Sequence, residues 1–230
     1  MTLSTQINDE AIAAGRAKVA YFGRMLFERH LTDSAGGNIS VRVGDLLCLS
    51  PTLAGHKKQW QLEADDVLVV DFDSNILAGD GKLSRETKVH LALHREYGEY
   101  GTGVIHAHPR NLMVFAAMAQ AMPPIMEATL KFGVTPVIDY ASAHSANLAK
   151  NIVDSMRGRE NLIAKQAAAT IAPWHGLFLM GKDLDAAFDA VERMDTNAYC
   201  IIMGRMLSGA DAQEAARVRM DDVIGNYKAD

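Results

Sequence analysis

The sequence predicts an α/β fold: a three-layer α/β/α sandwich around a central mixed, largely antiparallel sheet. Three observations predict it. Apolar runs with strand alternation come in groups rather than in strict turn with helices. Stretches near both ends of the chain carry apolar residues at helical spacing. The apolar fraction of 49% and charged fraction of 22% are those of an ordinary globular protein with a sizeable core. No linker-like composition interrupts the chain, so residues 1–230 are expected to form one domain.

Each element has its own signal. Asn8 or Asp9 can cap a first helix running towards His30, with Ile12, Val19, Phe22, Met25 and Leu26 on one stripe. Residues 32–38 form a loop by composition. Residues 39–43 alternate as a half-buried strand, and Gly44-Asp45 turns it into a second at 46–49. A polar loop at 50–58 follows, with His56, Lys57 and Lys58 as a solvated charge run. Strands at 67–70 and 76–78 flank an Asp73-Ser74-Asn75 turn, and Ser84 caps a helix reaching Tyr97. A short strand ends at Pro109, and a Met- and Ala-rich helix runs from Asn111 to Pro123-Pro124. Strands are expected at 137–138, 167–171 and 177–180. Asp183 then caps a long helix striped by Leu184, Ala187, Phe188, Val191 and Met194.

Charge and composition exclude several classes of partner. The net charge is -5 and no basic run interleaves with aromatics, which argues against nucleic acid. No apolar run approaches membrane length, and the first ten residues are polar, so no membrane association or export signal is expected. Cys48 and Cys200 lie far apart with no CxxC spacing, which fits two reduced structural thiols and a cytoplasmic setting.

The chemistry-bearing residues begin with His106-Ala107-His108. On a strand, residues i and i+2 face the same way, so two imidazoles project side by side at the end of an apolar run and can bind one metal ion. His175, at a break between two apolar runs, and Glu86, near a helix start, would complete an N3O donor set suited to zinc, with manganese, iron or cobalt as alternatives. A rival set exists on one helix: Glu86, His90 and His94 are spaced four apart and share a face. Two loops read as anion sites. Gly36-Gly37-Asn38-Ile39-Ser40 offers backbone N–H groups, an amide and a hydroxyl, and residues 50–55 offer Ser50, Thr52 and Gly55. With Lys82, Ser84 and Arg85 they can enclose a phosphate.

Taken in order, Gly37-Asn38-Ile39-Ser40, Ser50-Pro51-Thr52 with Gly55, Ser84-Arg85-Glu86, His106-Ala107-His108 and His175-Gly176 resemble the class II aldolase/adducin family, which includes fuculose-1-phosphate aldolase and ribulose-5-phosphate 4-epimerase. The resemblance runs from the first helix to the helix after Asp183. It implies an α/β/α sandwich and a homotetramer with interfacial active sites. It also implies a metal held by His106, His108 and His175, with Glu86 as a further ligand or as the acid/base. Asn38, Ser50, Thr52, Gly55 and Ser84 would hold a substrate phosphate. The implied reaction is metal-dependent cleavage of a ketose 1-phosphate to dihydroxyacetone phosphate and an aldehyde through an enediolate. The subgroup it most resembles acts on 5-deoxyribulose or 5-(methylthio)ribulose 1-phosphate.

Two departures from the family pattern stand out. Arg85 replaces a second serine, which alters anion recognition, and Glu127 stands where fuculose-phosphate aldolases place a tyrosine acid. Tyr140 or Tyr227 would then take over as the acid. An epimerase, dehydratase or decarboxylase on the same scaffold is the alternative. A non-catalytic, adducin-like interaction role is disfavoured by the presence of all three histidines.

Overall fold

The computed structural model describes residues 9–227, so the cap assigned to Asn8 lies outside the described residues. The chain enters through α1 (Asp9–Glu28), then β1 (Asn38–Val43) and β2 (Leu46–Leu49). A short α2 (Ala54–Lys58) precedes β3 (Leu68–Asp71), β4 (Ile76–Ala78), α3 (Thr87–Tyr97) and β5 (Gly103–Ala107). Next come α4 (Leu112–Ala117), α5 (Glu127–Leu130), α6 (Ala146–Met156) and α7 (Glu160–Lys165). The chain ends with β6 (Ala167–Ala172), β7 (Gly176–Gly181), α8 (Leu184–Ser208) and α9 (Ala210–Asn226).

The strands form one sheet of order β4-β3-β2-β1-β5-β7-β6, and every pairing in it is antiparallel. Among the described residues the expected parallel component shrinks to one bridge between Val137 and Ile171. Residues 137–138 are accordingly not a strand. Pro136 has no N–H to extend a ladder, and the segment only touches the outer edge of β6, where Ile138 donates to the Ile171 carbonyl.

Strand alternation splits the core into two layers. Ile105, Ala107, Leu177 and Leu179 face α1, α4 and α8, while Val104, Phe178 and Met180 face α3, α6 and α7. All seven are fully buried. Each large apolar side chain so placed contributes about 1.5–3 kcal/mol by leaving water. The three layers are therefore helices, sheet and helices.

Three boundaries differ from expectation. The helix after Asn111 stops at Ala117, well short of Pro123. The loop at 50–58 contains α2, where Lys58 pairs with Asp66 at 2.5 Å. The helix expected from Ser84 begins at Thr87 because the Ser84 hydroxyl is bonded to Glu86 and Asn38 instead.

Candidate metal centre

The site forms at the end of the central strands, on the face covered by α3. In the β5 register His106 lies opposite Asn38 of β1 and Phe178 of β7. Its ring stacks on Phe178, with centroids 4.1 Å apart and planes 10° from parallel. Its Nδ1–H donates to the Leu177 carbonyl at 2.9 Å, which leaves Nε2 as the free lone pair. His108 follows two residues later, just past the strand. Its Nδ1 stands 3.3 Å from the Asp33 carboxylate, and its buried Nε2 has no hydrogen-bond partner among the described residues.

His175 arrives from the turn between β6 and β7, after Trp174 in the left-handed region at φ 58°. The donor atoms of His106, His108 and His175 all lie within 4.8 Å of one another. Gly36 and Gly176 close on His108 from two sides. A Cβ at Gly36 would stand 2.2 Å from His108 Cε1, and one at Gly176 would stand 2.7 Å from His108 Cδ2.

Burial holds the ring of His106 well below the ordinary histidine pKa, and its neighbours His108 and His175 push the same way. His175 is also lowered by burial, partly offset by the Glu86 carboxylate. Metal ligation requires neutral imidazole, so this environment prepares the donors. The orphaned Nε2 of His108 and the outward Nε2 of His106 fit a divalent cation, and the Asp33–His108 contact is the kind of carboxylate support that orients a ligating ring. Asp33 was missed in sequence. Its signal is an Asx turn, in which Oδ1 accepts from the backbone N–H groups of Ala35 and Gly36.

Glu86 stands beside the triad, with Oε1 3.9 Å from His175 Nε2. Among the described residues the tight donor cluster consists of the three histidines without it. The rival helical set does not assemble either. His90 and His94 point inward from α3, but their ring nitrogens meet Ser40 and Asn38 at 2.5–2.8 Å.

A cavity of about 260 Å³ opens over the triad. Asn38, Thr52, Gly55, Ser84, Arg85 and Glu86 line it with the three histidines. Two residues expected to contact substrate do not line it. Ser40 is fully buried under α3, and Ser50 is fully buried with its Oγ accepting the Ile39 N–H at 3.0 Å. Both hydroxyls are engaged by the protein itself.

Tyr140 is exposed, its ring 5.6 Å from that of Trp174, and it does not line this cavity. Tyr227 is exposed at the end of α9, which packs on α8, and it does not line this cavity. Glu127 is exposed at the start of α5, also outside the cavity lining.

A family model described as class II aldolase and adducin N-terminal domain matches residues 17–202. The chain belongs to the class II aldolase and adducin family. Within this family it is similar to an L-fuculose phosphate aldolase of Methanocaldococcus jannaschii, 27% identical over 188 residues, or 80% of this chain and 93% of that one. A second, from Methanococcus maripaludis, is 26% identical over 75% of this chain and 87% of its own. Among solved structures, an L-fuculose 1-phosphate aldolase superposes with a TM-score of 0.74 at 22% identity, covering 90% of this chain and 96% of that one. The Thermus thermophilus L-fuculose-1-phosphate aldolase gives 0.70 at 20% identity, over 87% and 97%. These likenesses establish the shared class II aldolase fold.

Proposed function

We propose that this chain, acting as one domain, is a divalent-metal-dependent aldolase that cleaves a ketose 1-phosphate to dihydroxyacetone phosphate and an aldehyde. The observation that carries the reading is the meeting, in one small cavity, of three imidazole donors, a carboxylate beside them and two donor-rich loops. His106, His108 and His175 would hold the metal, and their nitrogen donors favour zinc over manganese, cobalt or iron. When bound, the metal supplies Lewis-acid stabilisation for the negative charge that grows on the substrate carbonyl oxygen.

The protein's own groups do the rest. Thr52, Gly55 and Arg85 hold the phosphate and so orient the bond that breaks, while Asn38 and Ser84, expected to share that role, turn their amide N–H groups and hydroxyl proton to each other and to Glu86. Arg85 in place of a second serine offers a bidentate fork to that anion. In the cleavage direction one group takes the proton from the hydroxyl that becomes the aldehyde, and another delivers a proton to the carbanion carbon. Glu86 is assigned the second of these transfers. Tyr140 and Tyr227 are the candidates for the first. Tyr140 is supported by its contact with Trp174, the residue before His175. Tyr227 would act from a neighbouring subunit of a homotetramer. Exposed Met206, Leu207, Val218 and Val223 on α8 and α9 support such an assembly.

The aldehyde end is assigned a 5-deoxy or 5-methylthio pentulose 1-phosphate. The half-exposed Leu53 in the cavity lining offers an apolar surface suited to a side chain without a terminal hydroxyl. Two free cysteines, Cys48 and Cys200, suit a reducing cytoplasm, and no helix among the described residues is long and apolar enough to cross a membrane.

The test is product analysis on metal-loaded protein given 5-(methylthio)ribulose 1-phosphate or fuculose 1-phosphate, with dihydroxyacetone phosphate read by a coupled assay and His108→Ala as control. Metal-dependent triose phosphate from the methylthio sugar supports both reaction and substrate. Triose phosphate from fuculose phosphate alone removes the substrate assignment. Carbon dioxide, water loss or epimer without triose phosphate removes the aldolase.

A further inference from the structure

Beneath α3 lie Ser40, His90 and His94, three buried polar side chains that the reaction above does not use. They form a continuous chain of hydrogen bonds. His94 Nε2 is 2.8 Å from Ser40 Oγ, Ser40 Oγ is 2.7 Å from His90 Nδ1, and His90 Nε2 is 2.5 Å from Asn38 Oδ1. The Asn38 amide nitrogen then reaches Glu86 Oε2 at 3.1 Å and Ser84 Oγ at 2.9 Å, and Ser84 Oγ donates to the same Oε2 at 3.0 Å. Ser40, His90 and His94 are fully buried, and Asn38 is 2% exposed.

The chain has a fixed direction. A carboxylate only accepts, so Asn38 must turn its NH2 to Glu86. Its Oδ1 therefore faces His90 and can only accept, which places the His90 proton on Nε2. Burial drives the His90 pKa to about 3 and that of His94 well below its ordinary value, so both rings stay neutral. His90 Nδ1 is then bare and accepts the Ser40 O–H, and Ser40 in turn accepts His94 Nε2–H. One proton sits in each gap, and the count closes. The far end, His94 Nδ1, is a buried acceptor with no partner among the described residues. A buried acceptor left without a partner in this way costs free energy.

We infer that His94, Ser40 and His90 are positioning residues: they fix the orientation of the Asn38 amide, and through it pin Glu86 by Oε2 so that Oε1 is left facing the histidine triad. The inference rests on Glu86 being the proton-handling group of the proposed reaction. The pinned geometry matters because a carboxylate free to rotate would be misaligned with a substrate carbon much of the time, and misplacement on the scale of 1 Å costs about 10²-fold in rate.

Nitrogen-15 spectroscopy of histidine-labelled, metal-free protein tests the direction without any substrate. At pH 7 His90 and His94 should each show a protonated Nε2 and a bare Nδ1. A proton on His90 Nδ1 overturns the relay. In Ser40→Ala the Asn38 side-chain amide resonances should broaden or split as the amide loses its fixed orientation, and an unchanged amide also overturns it.

In the coupled assay, Ser40→Ala should lower kcat about 10- to 100-fold with KM and metal content held within twofold, and Ser40→Thr, which keeps the hydroxyl, should recover most of the loss. A folded Ser40→Ala protein with unchanged kcat refutes the positioning role. If the wild type forms no triose phosphate, the aldolase reading fails separately, and the two spectroscopic results still decide the relay.

Discussion

Acidifying the metal-free protein from pH 7 to pH 5 is expected to remove about 2 kcal/mol of folding stability through His90 alone. An unfolded histidine titrates near 6.5, whereas burial holds His90 at about 3 in the folded chain. Its folded pKa lies below its unfolded one, so the folded state binds fewer protons and stability falls with pH. The loss begins as pH drops through about 6.5 and stops growing near 3. At pH 5 the unfolded chain gains roughly a 30-fold advantage by taking up the proton, which is about 2 kcal/mol. His94, His106 and His175 are shifted in the same direction and add to it. Asp66 is held below the usual carboxylate range, chiefly by its hydrogen bond from Lys58, and so adds to the acid loss only below this window. Urea unfolding at pH 7, 6 and 5 with a chelator present measures the effect, and His90→Gln should shrink the pH-dependent part by about 2 kcal/mol. A wild-type loss of under about 0.5 kcal/mol would mean that the buried rings accept protons in the native state, and the neutral-relay reasoning would fail with it.

Other outcomes follow from single contacts. Gly36→Ala drives a methyl into His108, 2.2 Å from Cε1, so zinc affinity by competition with a chromophoric chelator should fall at least about tenfold with the circular dichroism unchanged. Ser50→Ala leaves the buried Ile39 N–H without its acceptor. It should cost about 1–3 kcal/mol in denaturant unfolding while KM changes less than twofold, because Ser50 faces away from the cavity. Asp195 accepts from the Asn111 and Leu112 backbone N–H groups and from the Asn111 side chain. Asp195→Ala should therefore destabilise by roughly 2–4 kcal/mol, with Asp195→Asn recovering part of it.

Short apolar runs bounded by turn residues made the sheet legible, and strand geometry then turns Val104 and Ile105, or Leu177 and Phe178, to opposite faces. The His106/His108 pair was readable for the same reason: strand geometry by itself puts both rings on one face. Where the sequence misled, it did so through residues acting against type. The helix after Asn111 ends in a Schellman closure, with Gln120 N–H on the Phe115 carbonyl and Ala119 N–H on Ala116. The residue that takes the left-handed turn is Ala119 at φ 48°, not a glycine, so composition held no stop signal. Ser84 looked like a helix cap and Ser40 and Ser50 like substrate ligands. A hydroxyl's partner is fixed by tertiary neighbours that local sequence does not name. His90 and His94 posed the same difficulty. Their spacing marks a shared face, and only the opposing strand decides whether that face meets a metal or Ser40.

The strand order gives the centre a further property, one of assembly. Its parts come from Asp33 ahead of β1, Glu86 ahead of α3, His106 on β5 and His175 at the β6–β7 turn. They meet only because β1, β5 and β7 are neighbours in the sheet while standing far apart along the chain. Contacts of such long sequence separation form late, after the entropy of closing the intervening loops has been overcome. A chain emerging from the ribosome cannot present all three imidazoles until β7 has docked. An ion held by the three histidines would therefore not template folding but board a finished frame, and its retention would report that the last strand is in place.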